Sequence, residues 1–214
     1  MQTLQAQLDE TTQYFLDNLP KEANTTFQDV IDKAIANHIT EKAPGVGQKM
    51  VNFELLHSNG TTFKLSEKLK EGPVVIMFYR GSWCPYCNLM LKRYQDVLSD
   101  IKALGANLVA ISPEFPEKAQ ETITKEGFSF DVLTDEDNQL AEKLGLLFHQ
   151  SQAALDLMKN LGFDLGKYYG EGKGLVIPIP GIFVVRQDHS ISYSYVNPNY
   201  RFRAEPAEVI EALS

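Results

Sequence analysis

The chain has 214 residues and a formal net charge of −8 at pH 7, with 43% hydrophobic and 22% charged residues. Length and composition are ordinary for a globular protein and allow one well-buried domain with additions. The acidic balance argues against a general nucleic-acid-binding protein, which requires clustered Lys and Arg. No apolar run approaches the roughly 18 residues of a membrane span, and the first ten residues lack the basic start and apolar core of a signal peptide. We therefore expect a cytoplasmic protein with no membrane partner.

The N-terminal part has the periodicity of two amphipathic helices, separated by a break near Asn18-Leu19-Pro20. The apolar stripe of the first helix is Leu4, Leu8, Phe15 and Leu19. That of the second is Phe27, Val30, Ile31, Ala34, Ile35 and Ile39. We expect this hairpin to pack on its own domain. A dimer contact is the alternative, because an apolar stripe does not reveal which surface it covers. The sequence thus predicts a helical extension, residues 1–43, ahead of a domain spanning residues 44–214.

The second part alternates strands and helices after the turn-rich segment Pro44-Gly45-Val46-Gly47. Two short extended runs flank Asn59-Gly60, which is a strong hairpin signal. Buried strands are predicted at 74–79 and 107–112, and the helical stretch between them implies a parallel pair with a right-handed connection. We expect an α/β fold whose central mixed sheet is flanked by helices.

Cys84 and Cys87, the only two cysteines, lie where the strand at 74–79 gives way to a helix. Pro85 suits the first turn of that helix, so both cysteines sit at a helix N-terminus. Unpaired N–H groups and the helix dipole stabilise a thiolate there, and such sites lower a cysteine pKa from about 8.5 to roughly 3.5–7.5. Cys84 would attack an oxidised partner, and Cys87 would resolve the adduct as an internal disulfide.

Two other interpretations of the cysteine pair are a zinc site and inert buried thiols. A structural zinc needs four ligands, and the four histidines are scattered without ligand spacing, so we expect no metal. A Cys-x-x-Cys between a buried strand and a helix is instead typical of redox chemistry.

The motif from Trp83 to Cys87 resembles the active sites of thioredoxin-fold proteins, combining the Trp-Cys of thioredoxins with the Cys-Pro-Tyr-Cys of glutaredoxins. The longer frame, Phe78-Tyr-Arg-Gly-Ser-Trp-Cys-Pro-Tyr-Cys87, is most similar to the peroxiredoxin-like branch of the alkyl hydroperoxide reductase and thiol-specific antioxidant family. The resemblance covers roughly Ala43 to the C-terminus. It implies a thioredoxin-like fold, a redox-active disulfide centre and no cofactor.

The resemblance also suggests which residues bind substrate. Those residues are Arg80, Trp83, Pro85, Ile179 and Pro180. Thioredoxin-like proteins place a cis-proline at the start of the strand facing the cysteines, and Pro180 matches that position. A cis bond there would present the backbone of Ile179 to a disulfide substrate.

The family pattern is only partly present. Typical peroxiredoxins carry Pro-x-x-x-Thr-x-x-Cys and a distant arginine, which together activate the peroxide. With Cys87 at the peroxidatic position, Arg80 and Cys84 occupy the proline and threonine positions. Pro180 stands where the arginine belongs. Two groups that suit disulfide exchange thus replace two that suit peroxide activation.

Three functions therefore stay open. Family resemblance favours a thiol-dependent peroxidase, in which a thiolate is oxidised by a hydroperoxide to a sulfenic acid, the other cysteine condenses with it, and thioredoxin or glutathione reopens the disulfide. Arg80 would then supply the lost positive charge. The second function is a dithiol–disulfide oxidoreductase with Cys84 as nucleophile. The third is a redox-sensing binding protein whose N-terminal hairpin engages a partner according to disulfide state.

Two segments near the C-terminus are less regular. Residues 149–174 depart from a minimal thioredoxin fold, with a helix at 153–161 and a flexible glycine-rich loop at 162–174. We expect this insertion to shape or cover the cleft near the cysteines. Arg201 and Arg203 lie in a polar loop, where solvation at the surface is the commoner fate, although either could stabilise a thiolate.

Overall fold

The computed structural model describes residues 2–214. The strands are β1 (Glu54–His57), β2 (Thr62–Lys64), β3 (Val74–Phe78), β4 (Asn107–Ser112), β5 (Asp131–Thr134), β6 (Leu147–His149), β7 (Val176–Pro178), β8 (Gly181–Val185) and β9 (Ile191–Val196). The helices are α1 (Leu4–Asn18), α2 (Lys21–Ala36), α3 (Leu65–Glu71), α4 (Pro85–Asp96), α5 (Leu98–Ala103), α6 (Pro116–Glu126), α7 (Gln139–Lys143), α8 (Gln152–Asn160), α9 (Gly166–Tyr169) and α10 (Pro206–Leu213). A 3₁₀ turn, Glu136–Asn138, precedes α7.

Seven of the strands form one mixed sheet in the order β2-β1-β5-β4-β3-β8-β9. The central strand, β3, is buried along its whole length, as its unbroken apolar sequence predicts. It pairs parallel with β4 and antiparallel with β8. The α/β fold with a central mixed sheet is therefore confirmed. The parallel β3–β4 pair and the β1–β2 hairpin around Asn59-Gly60 are confirmed as well.

The register of the sheet decides where the cysteine loop begins. Phe78, the last residue of β3, lies opposite Ile111 of β4 and Gly181 of β8. One end of the central strands therefore brings together three segments, which directly follow β3, directly follow β4 and directly precede β8.

The two N-terminal helices pack on the rest of the molecule. Leu4 and Leu8 of α1 are fully buried and belong to the same hydrophobic core as the sheet. The Glu205 carboxylate accepts hydrogen bonds from the backbone N–H groups of Leu4 and Gln5, at 3.1 and 2.8 Å, which stabilises the positive end of α1. At the other side of α1, Thr12 Oγ1 lies 3.2 Å from the hydroxyl of Tyr86 in α4. The extension thus contacts the helix that carries Cys87.

Within residues 2–214, no helix combines the length and the apolar character needed to cross a lipid bilayer.

Candidate active site

The cysteines sit at the N-terminus of α4, as the sequence predicts. Cys84 is the residue that precedes the helix, with extended backbone, and Pro85 is its first residue. Cys87 lies in the first turn, and its N–H donates to the carbonyl of Cys84 at 3.0 Å. Both side chains are buried, and both thiols are free.

Several donors and charges surround the Cys87 sulfur. The backbone N–H of Arg80 donates to Sγ at 3.4 Å, and Arg203 Nη2 lies 3.7 Å from the same atom. Burial raises the pKa of Cys87. The hydrogen bond from Cys84, the guanidinium charges of Arg203 and Arg80 and the Arg80 N–H outweigh burial and lower that pKa to about 5. Cys87 is therefore a thiolate at neutral pH.

Cys84 behaves in the opposite way. Burial raises its pKa well above the usual value, and so do the hydrogen bond to Cys87 and the negative charge of that sulfur. The guanidiniums of Arg80 and Arg203 lower the pKa of Cys84, without cancelling the rise. The two sulfurs thus form one hydrogen-bonded pair, in which Cys84 keeps the proton and Cys87 carries the charge.

Arg203 corrects one expectation from the sequence. It is not solvated at the surface: only 4% of it is exposed. Its Nη1 donates to the carbonyls of Tyr200 and Phe202, which hold the guanidinium against Cys87. Arg201 is half-buried and donates from Nη1 to Gln28 Oε1 at 2.8 Å. A loop has no periodicity, so its sequence does not tell which of two arginines turns inward.

Arg80 is also buried, with 5% of its surface exposed, and it lies among aromatic rings. Its guanidinium carbon is 4.1 Å from the ring centroid of Tyr200, 4.8 Å from that of Trp83 and 5.9 Å from that of Phe148. Cation–π contacts of this kind stabilise a guanidinium that has lost its hydration. Among the predicted substrate-binding residues, Arg80, Trp83 and Pro85 are thus brought together beside Cys84.

The insertion at residues 149–174 reaches this site through Tyr169. The predicted loop contains the short helix α9, which ends at this buried tyrosine. Its hydroxyl donates to the carbonyl of Arg80 and accepts from Trp83 Nε1. The insertion therefore lies against the loop that joins β3 to α4. Its role in shaping or covering the cleft stays a prediction.

A buried carboxylate, Glu114, follows β4 at the same edge of the sheet. Its Oε1 accepts from the hydroxyl of Tyr79 at 2.7 Å, and its Oε2 accepts from the N–H and the hydroxyl of Ser82, both at 2.8 Å. Burial raises the pKa of Glu114, while these donors lower it. Glu114 fixes the loop that leads to the cysteines. The signal in the sequence is an acidic residue two positions after a buried parallel strand, at the end of the sheet where α/β proteins place functional groups.

The peptide bond between Ile179 and Pro180 and the hydrogen bonding of Ile179 differ from the prediction. All peptide bonds within residues 2–214 are trans, so the predicted cis bond before Pro180 is wrong. Ile179 is fully buried, and its N–H donates to the carbonyl of Leu146 at 2.7 Å. That hydrogen bond occupies the donor that a substrate would use. A role for either residue in binding substrate stays a prediction.

No group of three or more His, Cys, Asp or Glu side chains within residues 2–214 is arranged to hold a metal ion.

Sequence similarity relates the chain to known proteins. The model described as the AhpC/TSA family matches residues 46–194. Peroxiredoxin Bcp of Escherichia coli is 32% identical over 94 residues, which are 44% of this chain and 60% of that protein. Peroxiredoxin Q of Populus jackii, a chloroplastic protein, is 32% identical over 100 residues, 47% of this chain and 46% of that protein. A relative from Haemophilus influenzae matches over 64% of its length, so the chain spans less than two thirds of these relatives.

Solved structures share the fold. Peroxidoxin BcpB of Mycobacterium tuberculosis has a TM-score of 0.60 and 21% identity, covering 79% of this chain and 96% of that one. Reduced Prx3 of Vibrio vulnificus in complex with H₂O₂ has a TM-score of 0.64 and 15% identity, covering 80% and 99%. The expected thioredoxin-like fold is therefore confirmed.

Proposed function

The chain belongs to the AhpC/TSA family, and from that premise we propose that it is a thiol-dependent peroxidase acting through Cys84 and Cys87. The observation that carries the proposal is the Cys87 sulfur, whose pKa is lowered to about 5 between Cys84, Arg203 and Arg80. A thiolate, not a thiol, attacks a peroxide oxygen.

Local groups take over the roles of the family residues that this chain lacks. Cys84 stands at the threonine position, and its thiol is a hydrogen-bond donor to Cys87, as a threonine hydroxyl would be. Pro180 stands at the arginine position, but Arg203 brings a guanidinium to 3.7 Å from Cys87 Sγ. The positive charge that stabilises the thiolate therefore comes from a different part of the chain.

The proposed reaction has two steps within the protein. The Cys87 thiolate attacks the terminal oxygen of a hydroperoxide and breaks the O–O bond, which leaves Cys87 as a sulfenic acid and releases an alkoxide that takes a proton from water. The Cys84 thiol then condenses with the sulfenic acid, forming a disulfide and releasing water. The substrate has gained two electrons and the dithiol has lost two.

The disulfide is then reopened by two thiol groups from a reductant of the thioredoxin or glutathione class, which leave as a disulfide. Cys84 is one of the residues that line a surface pocket, whereas Cys87 is fully buried and does not line it. We therefore propose that the reductant attacks the sulfur of Cys84 and that Cys87 leaves, since the sulfur with the lower pKa is the better leaving group.

Stopped-flow reaction of the reduced protein with a hydroperoxide tests the proposal. We expect Cys84→Ser to keep the first, fast oxidation step and to stop at the sulfenic acid, which a dimedone probe captures. We expect Cys87→Ser to lose that fast step. Fast peroxide consumption in Cys87→Ser, or none in the unchanged protein, contradicts the assignment.

A dithiol–disulfide oxidoreductase is the second candidate, favoured by the position of Cys84 in the pocket. A disulfide substrate would meet Cys84 first. Reduction of glutathione disulfide or insulin that requires Cys84, combined with slow peroxide consumption, would favour this function over the peroxidase.

A further inference from the structure

A pocket of about 80 Å³ lies between the N-terminal helices, α8 and the loop that carries Cys84. Most of its lining is apolar. Prominent members of that lining are Phe15, Leu19, Phe27, Phe148, Met158 and Phe163. Leu16, at the rim, is 46% exposed, so the pocket opens to solvent. The helical extension and the insertion at residues 149–174 together build walls that the sheet alone would not provide.

The charges in this pocket are all of one sign. Its charged residues are Arg80 and Arg201, and none of the described residues lining it is acidic. Both guanidiniums face the ring of Tyr200, at 4.1 and 5.8 Å from its centroid. Arg80 also interacts with the Cys87 thiolate behind the pocket, but no carboxylate of the protein lines the pocket to pair with either guanidinium.

Arg80 in particular lacks part of its hydrogen bonding. It is 5% exposed, and its Nε atom is buried without a hydrogen-bond partner, as is Nε of Arg201. Aromatic faces offset part of the cost of burying such a charge but accept no strong hydrogen bond. A buried guanidinium with free donors is the group that planar, two-oxygen anions match best.

We propose that this pocket binds an amphipathic carboxylate, whose two oxygens meet Arg80 and Arg201 and whose apolar chain lies among the aromatic and aliphatic side chains of the walls. The combination of apolar walls and positive end selects both properties of the ligand. A small peroxide would contact neither the apolar walls of the pocket nor the guanidinium of Arg201. Because the ligand binds without reacting, the proposal does not depend on peroxidase activity.

The protein carries its own reporter for this site. Trp83, the only tryptophan of the chain, lines the pocket, so its fluorescence follows binding. The reduced full-length protein is titrated with octanoate, 1-octanol and octylamine, which share a chain length and differ in charge, and calorimetry repeats the series. We expect saturable binding of octanoate, about tenfold tighter than that of octanol, and none of octylamine. Equal affinity for octanoate and octanol, or no binding of octanoate in either assay, overturns the proposal.

Two variants test the charge argument. Arg201→Gln removes one cation, and Leu16→Glu adds an acid at a half-exposed rim position where the fold tolerates it. Both are expected to weaken octanoate binding about fivefold or more. Arg201→Gln should leave octanol binding unchanged, whereas Leu16→Glu, which also removes an apolar wall contact, should weaken octanol binding less than octanoate binding. Arg186→Gln, at an exposed arginine outside the pocket, is the matched control and should change neither affinity. Unchanged octanoate affinity in both pocket variants contradicts the assignment. A protein without peroxidase activity that still binds octanoate would separate this proposal from the proposed function.

Discussion

Arg203 Nη2 lies 3.7 Å from Cys87 Sγ, although 116 residues separate the two in the chain. The guanidinium stabilises the charged form of the sulfur and so lowers its pKa. The thiolate is the deprotonated form, so its fraction is nearly complete above the pKa of about 5 and falls only as the pH drops through that value. The acidity of Cys87 can therefore be read from a pH profile.

We expect the rate of alkylation of Cys87 by iodoacetamide to be flat from about pH 6.5 to 8.5 and to fall below about pH 5.5. In Arg203→Gln, the profile should move to higher pH, because the variant loses one of the positive charges that lower the pKa of Cys87 against the effect of burial. Mass spectrometry assigns the alkylated residue, and Arg186→Gln serves as the control. A profile that is identical in Arg203→Gln and the unchanged protein would show that the guanidinium does not set the acidity.

Cys84 should control the same pKa through its hydrogen bond. Cys84→Ala removes the donor, whereas Cys84→Ser replaces it with a hydroxyl. We expect the pKa of Cys87 to rise by about one unit or more in Cys84→Ala and by less in Cys84→Ser. The midpoint of thiolate absorbance near 240 nm during a pH titration measures both. A larger rise in Cys84→Ser than in Cys84→Ala would rule out this role of the thiol.

Gly81 is the residue where the cysteine loop admits no side chain. Its φ is +138°, and a Cβ there would lie 2.6 Å from Trp83 Nε1 and 2.9 Å from the Tyr169 hydroxyl. Gly172 also has a positive φ, of +75°, but nothing lies within 4 Å of its Cβ position. We expect Gly172→Ala to cost about 1 kcal/mol of unfolding free energy and Gly81→Ala about 2–4 kcal/mol, since overpacking adds to backbone strain. Urea denaturation compares the two, and equal losses would contradict the steric argument.

Glu114 should matter for stability because it pairs three buried or half-buried donors. Glu114→Ala removes the acceptor of the Tyr79 hydroxyl and of the Ser82 N–H, at about 1–3 kcal/mol for each donor left unpaired. We expect a loss of about 2–4 kcal/mol in urea denaturation. Glu211→Gln, at an exposed glutamate of α10, should stay within about 0.5 kcal/mol. A Glu114 variant as stable as this control would mean that other groups hold the loop.

The burial of α1 predicts that the N-terminal extension contributes to global stability. Leu8 is fully buried, whereas Leu16 on the same helix is 46% exposed. Leu8→Ala should cost about 2–5 kcal/mol and Leu16→Ala about 0.5 kcal/mol, both within a single cooperative transition. If Leu8→Ala instead lowers the midpoint of only a separate, early unfolding transition, the extension unfolds as an independent unit. The proposed boundary near residue 43 is then also a folding boundary.

The sequence predicts most of the fold because its strongest signals are local. The unbroken apolar run of β3, the Asn59-Gly60 turn and the proline that begins α4 each depend on neighbours within a few residues. The placement of both cysteines at a helix N-terminus follows from the same local rules. The ends of a helix are less well marked in the sequence than its presence: α2 begins at Lys21, before its predicted apolar stripe, and ends at Ala36, before Ile39, the last residue of that stripe.

Half of the site could not be predicted because distant loops supply it. Arg203, Tyr169 and Glu114 come from three separate segments, and only the three-dimensional meeting of those segments gives them their partners. The two arginines of the 197–205 loop look alike in sequence, yet one contacts Cys87 and the other Gln28. The acidity of Cys87 follows from the hydrogen bond of Cys84 within the motif together with the charge of the distant Arg203, so the motif alone does not account for it.

The site also has an order of assembly during translation. The ribosome has made both cysteines and all seven strands of the main sheet by Val196, yet the guanidinium next to Cys87 belongs to residue 203. Glu205, the acceptor at the start of α1, is made later still. A chain that stops before residue 203 therefore carries the motif with a less acidic sulfur, so its cysteines acquire their full reactivity only after Arg203 has been made.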